Sequence, residues 1–166
     1  MILTFPEDIV DAIVARLEEN RSLLTYKGHS IESIKPIMLL PENPQQASEM
    51  GFKAPWLGVY YHEGDADYIT VNGEASEIEQ TIGVLCASSP NYSRSASSAF
   101  ESIAYSKIVH KILLTTPPHT NLFIVPASDG SQRALSLRSH KTPRELLLAS
   151  SQLSLTVARF NFNETE

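Results

Sequence analysis

In two stretches of this chain, Trp56–His62 and Glu77–Cys86, the two faces of a strand separate at every second position, and that period constrains the fold more than any other feature. In "PWLGVYYHEG" Leu57, Val59 and Tyr61 point one way and Trp56, Tyr60 and His62 the other, the pattern of a β-strand. In "SEIEQTIGVLCAS" Ile78, Ile82, Val84 and Cys86 share one face, with Gln80 as the exception. Glu77, Glu79 and Thr81 share the opposite face, so that end of the strand is expected to be wet on one side. Further on, "NLFIV" and "RALSL" flank "PASDGSQ", where Asp129-Gly130 signals a hairpin. "QLSLTVARF" alternates again, with Leu153, Leu155 and Val157 expected inward. "TPRELLLAS" fits either a helical turn opened by Thr142 and Pro143 or further strand.

Two other stretches carry the helical period. Ile9, Val10, Ile13, Val14 and Leu17 fall on one face, with Asp11, Arg16, Glu18 and Glu19 off it. Pro6 suits a first turn, and Glu7 and Asp8 complement the positive end of the helix dipole. Phe100, Ile103, Ala104, Ile108 and Ile112 form a second stripe, capped by Ser95, Ser97 or Ser98 and stopped by Pro117-Pro118. Between the first helix and the first alternating strand, glycines and prolines break every period. A short strand is expected within Ser33–Leu40 and a long Pro-rich loop around 41–55. The chain ends in "NFNETE", expected to be a flexible acidic tail over 161–166. Together these elements predict one α+β domain over 1–166, a mostly antiparallel mixed sheet with two main helices packed against it.

Composition narrows the classes. A chain of 166 residues, 42% hydrophobic and 19% charged, has enough apolar content for one core and is not disordered. The run Ile37-Met38-Leu39-Leu40 falls far short of a bilayer span, and Glu7 and Asp8 stand where a signal peptide has its basic region. A cytoplasmic protein is therefore expected. Cys86 is the single cysteine, which excludes an internal disulfide and a thiolate zinc cluster, and its strand context predicts a buried thiol. The net charge of −6 disfavours tight binding to a phosphate backbone.

The densest set of chemical side chains is "HEGDAD", in which His62, Glu63, Asp65 and Asp67 lie within six residues. With Glu77 and Glu79 opposite, Asp65 and Asp67 would make a four-carboxylate site for a hard cation. The spacing matches neither an EF-hand nor a zincin, and a solvated turn between two strands is the preferred reading. The histidines His29, His62, His110, His119 and His140 are scattered, and His110 is expected to be exposed. No Gly-x-Ser-x-Gly elbow, phosphate loop or dinucleotide fingerprint occurs. Arg133, Arg138, Lys141 and Arg144 form the one loose basic cluster, read as a protein-docking surface or a solvated edge. No residue is nominated as catalytic, and no cofactor is implied.

The order of these elements carries a resemblance. The helix "EDIVDAIVARLEEN", the strand "PWLGVYYHEG", the long strand "EIEQTIGVLCAS", the helix "SSAFESIAYSKIVHKILL" and the closing strand "LSLTVARFNF" look like the small tail-terminator (tail-completion) proteins of long-tailed phages, particularly of the Mu-like prophage type. The resemblance extends from about Ile2 to Phe160 and is one of order and pattern. It implies a structural protein, not an enzyme, acting in the host cytoplasm during assembly and then in the virion tail. Such a subunit forms a ring, usually a hexamer, on the tail tube, stops tube polymerisation and meets the head-completion proteins, while DNA passes through the lumen without specific binding. A head-to-tail ring needs two different surfaces. The acidic Glu63, Asp65 and Asp67 and the basic Arg133, Arg138, Lys141 and Arg144 are the expected pair, with Phe162 as an apolar anchor. Two alternatives stand beside this reading: a metal-dependent hydrolase using the acidic cluster at 62–79, and a small protein-binding regulatory domain from a mobile element.

Overall fold

The computed structural model describes residues 4–38, 50–61, 67–71, 74–88, 95–115, 122–150 and 153–165. Helix α1 spans Pro6–Glu19 and helix α2 spans Ser95–Leu114. The strands are β1 (Thr25–Tyr26), β2 (His29–Ser30), β3 (Ser33–Pro36), β4 (Trp56–Tyr61), β5 (Asp67–Val71), β6 (Glu74–Ser88), β7 (Leu122–Pro126), β8 (Gln132–Ser150) and β9 (Leu153–Thr165). β1 and β2 make a small hairpin; the others form one sheet in the order β3-β4-β6-β9-β8-β7, with β5 also paired to β6. β3 runs parallel to β4 and every other pairing is antiparallel. The fold is α+β, with two helices packed against a curled mixed sheet. α2 lies over β6, β9 and β8 in the middle of the sheet. α1 touches β3 and β4 near one edge and β7 at the other, which only a curled sheet permits.

The first helix forms as its sequence predicts. Ile9, Ile13 and Leu17 are fully buried, Pro6 occupies the first turn, and Glu7 and Asp8 sit at the amino end. Asp8 also accepts hydrogen bonds from the Ser128 amide (3.3 Å) and hydroxyl (2.6 Å), which ties α1 to the β7–β8 hairpin. That hairpin turns where Asp129-Gly130 predicts. Gly130 has φ +86°, and Asp129 Oδ1 accepts from both the amide (2.9 Å) and the hydroxyl (2.5 Å) of Ser131. These bonds hold the Asp129 carboxyl below the usual range.

The middle of the sheet is buried on both faces. On the helix side, Leu57, Val59, Ile82, Val84, Cys86, Ala158 and Phe160 join the main core. On the other side Trp56, Tyr60, Leu85, Ala87, Leu155 and Val157 form a second cluster, covered by Ile37, Met50, Phe52 and Ala54. Leu155 and Val157 are thus buried as their alternation requires, but away from the helices. Two strand glycines make the second cluster possible. Gly83 stands opposite Tyr60, and a Cβ there would overlap the Tyr60 ring; a Cβ at Gly58 would overlap Ile37 and Trp56.

Some expectations are narrowed by the structure and others need correction. Residues 62–66 of "HEGDAD" lie outside the described residues, but the strands that flank them, β4 and β5, run in the same direction along one side of β6, and β5 pairs antiparallel with β6 down to Val71 opposite Glu74. Those residues flank Asn72-Gly73, the pair a two-residue hairpin favours. Of the two readings of 142–150, helical turn or further strand, the structure takes the strand. Its register against β9 shifts between Ser139 and Arg144, an interval containing Pro143, which has no N–H for a ladder. The buried face of α2 is not the Phe100 stripe but Glu101, Ser102, Tyr105, Ser106, Val109, Ile112 and Leu113; Phe100 is 62% exposed. Only Ile112 belongs to both. The inner face takes small and polar groups because α2 approaches the sheet closely there, where Ser102 Oγ meets Thr156 Oγ1 at 2.8 Å.

The last correction concerns the chain end. Residues 161–165 are not a free tail, since β9 runs to Thr165 between β6 and β8. Phe162 is 1% exposed and meets the Phe123 ring edge-on at 5.5 Å. Glu164 accepts from the amide and hydroxyl of Thr4 (2.9 Å each), and Gln80 Nε2 donates to the Thr4 carbonyl (3.1 Å). The acidic composition that reads as disorder instead supplies a carboxylate acceptor for the amino-terminal segment. Phe162→Ala is expected to destabilise the protein by about 3–5 kcal/mol, and Arg138→Ala, on the exposed face of β8, by less than about 0.5 kcal/mol, in denaturant titration. Gly83→Ala, which forces Tyr60 off its seat, is expected to cost about 1–3 kcal/mol in the same measurement.

Candidate functional site

The expected acidic surface is reached by the structure only at its end. Glu63 and Asp65 lie outside the described residues. Asp67 opens β5 directly opposite Glu79, and Ile69 is opposite Glu77, so this register does bring two carboxylate-bearing positions side by side. Asn161 Nδ2 donates to Glu79 Oε1 (2.7 Å), and Thr81 Oγ1 donates to Asn161 Oδ1 (3.2 Å). Thr81 is 1% exposed, so the wet face of β6 is shut by Thr81. Among the described residues no group of three or more histidine, cysteine or acidic side chains is placed to hold a metal ion.

The expected basic surface is divided. Arg133 and Arg138 are five positions apart on a regular stretch of β8, which sends them to opposite faces. Arg133 turns inward, 13% exposed, and pairs with Asp129 (3.2 Å) and Glu164 (3.6 Å). Arg138 is exposed. Lys141 falls in the register shift, and Arg144 is opposite Ala158. Phe162 belongs to the core and offers no surface to a neighbour.

A polar cluster that sequence reading missed lies near the middle of α2. Glu101 is 6% exposed, and its Oε1 accepts from the Tyr105 hydroxyl (3.2 Å) and faces His29 Nδ1 (3.2 Å). The Tyr105 hydroxyl also lies 3.0 Å from the His29 carbonyl. Burial first, and then the Glu101 carboxylate, push the Tyr105 hydroxyl well above its usual range. The β1–β2 hairpin that carries His29 turns through Lys27 (φ 47°) and Gly28 (φ 83°), the left-handed pair of a tight two-residue turn. The cluster pins that hairpin to α2. The i, i+4 spacing of Glu101 and Tyr105 is its sequence signal, and neither residue belongs to the Phe100 stripe.

Two single groups complete the inventory. His110 is half-buried rather than exposed: Nδ1 donates to the Ser106 carbonyl (2.8 Å) and the ring lies 4.7 Å from that of Phe160. Cys86 is fully buried, and burial pushes its thiol far above the usual range. No helix is long and apolar enough to cross a membrane, among the described residues. No family model matches the chain, and no curated protein matches it. Cys86 is expected to resist a thiol reagent in the native state and to react on unfolding. Cys86→Ser is expected to destabilise by about 1–3 kcal/mol, because the buried hydroxyl replaces an apolar-tolerant thiol; rapid labelling of the folded protein would contradict the burial.

Proposed function

We propose that the protein is a structural subunit of a phage or prophage tail, which caps the tail tube as an oligomeric ring, ends its polymerisation and joins it to the head-completion proteins. The observation that carries this reading is the order of elements. An amphipathic helix, a pair of antiparallel strands, a second helix across the sheet and a closing strand follow one another as in the resemblance described above. The net charge of −6 is compatible with a lumen through which DNA slides without adhering. A subunit of this kind works by contact, without cofactor or turnover.

The test adds the purified protein to growing cognate tail tubes and measures their length and their ends. Tubes that stop extending and carry a ring at one end are the expected result. Tubes that grow unchanged, with no subunit at their ends, would overturn the reading. Replacing Asp65 and Asp67 together by asparagine is expected to leave the fold intact, as a substitution in a turn does, with circular dichroism as the measurement. Stoichiometric, tightly held divalent metal lost in Asp65→Ala would instead favour a metal-dependent hydrolase.

A further inference from the structure

The turn of α2 that buries its polar residues sends an apolar and basic stripe outward. Phe100 is 62% exposed and Leu114 42% exposed, with Lys107 and Lys111 exposed between them. α1 presents the opposite charge: Glu7, Asp11 and Glu18 are all exposed and share its outward side. Glu18 is engaged by Arg21 at 3.1 Å, whereas Glu7, Asp11, Lys107 and Lys111 form no ion pair among the described residues. We propose that the outward stripe of α2 in one copy docks antiparallel on the outward stripe of α1 in a second copy.

Spacing and charge both select this partner. Glu7 and Asp11 are four residues apart, as are Lys107 and Lys111, so each pair spans about 6 Å along its helix. With Lys111 against Glu7 and Lys107 against Asp11, Leu114 reaches Phe5, which is 56% exposed just before α1. Phe100 then falls against the last turn of α1, toward Leu23, also 56% exposed. Four of the six large hydrophobic side chains exposed among the described residues are thereby covered. A parallel register would leave Phe100 beyond the start of α1. The antiparallel one also sets the positive end of α1 beside the negative end of α2. The two stripes are different surfaces, so the contact either repeats around a ring or is made twice in a two-fold pair. It stands on charge and spacing and does not depend on the tail reading.

A charge exchange tests it. Wild-type protein is expected to self-associate with rising concentration in sedimentation velocity, and less so as salt is added. Lys107→Glu with Lys111→Glu makes both stripes acidic, and Glu7→Lys with Asp11→Lys makes both basic; each double variant is expected to associate at least about tenfold more weakly. Mixing the two variants restores opposite charges at both contacts and is expected to restore association. Because lysine at the start of α1 opposes the helix dipole, Glu7→Gln with Asp11→Asn provides a milder variant, and circular dichroism checks that each protein folds. A wild type that stays monomeric to its solubility limit, double variants that associate as wild type does, or a mixture that stays dissociated would each overturn the contact. A monomeric protein that still caps tubes would remove this contact alone and leave the tail reading standing.

Discussion

The strand at the centre of the sheet is the last one in the chain. β9 pairs with β6 along twelve residue positions on one side and with β8 on the other, and its far end holds Thr4 through Glu164, 160 positions away. The core therefore cannot close until β9 is in place. Phe160 and Phe162 fill the helix side, while Leu155 and Val157 fill the other. Pairings this distant give little local reward before the long loops are closed, so the fold's cohesion depends on non-local contacts more than on any single element.

Burial on both faces explains the glycines and the Pro-rich stretch. Side chains on a one-sided sheet need no special room, but Trp56 and Tyr60 lie over the sheet on the side away from the helices. They can do so because Gly58 and Gly83 offer bare backbone beneath them. Ile37, Met50, Phe52 and Ala54 then cover these aromatics, Phe52 meeting Trp56 edge-on at 5.3 Å. The two ends of a segment with no sequence period thus act as the lid of a second small core. Irregular backbone carries no periodic signal even when its side chains are buried, which is why this cover reads as a loop.

What was legible depended on whether local chemistry and global burial pointed the same way. They agree in α1, whose apolar face is its buried face, in the Asp129-Gly130 turn and in the period-two core of β6. They disagree in α2. Its buried side is set by the closeness of Thr156 and by the carboxylate of Glu101, so serines and a tyrosine go inward and the apolar stripe ranks second. They disagree again at Glu164, where an acidic residue near a chain end looks solvated but accepts two hydrogen bonds from Thr4. The expected basic surface is divided for a third reason. Residues close in sequence alternate across a strand, so Arg133 and Arg138 could not share a face.

The same inversion of α2 has a consequence for the surface. A helix that is apolar on more than one side is ordinarily covered on more than one side. Among the described residues α2 packs against the sheet, α1 and the β1–β2 hairpin, while Phe100 and Leu114 remain exposed on either side of two lysines. The neighbouring α1 has the reverse composition, with its apolar residues spent on the core and its outward side acidic. Among the described residues Lys107 and Lys111 form no ion pair on one helix, and Glu7 and Asp11 form none at the same spacing on the other. That separation of charge follows from how each helix meets the core: α1 by its aliphatic stripe, α2 by its hydroxyls.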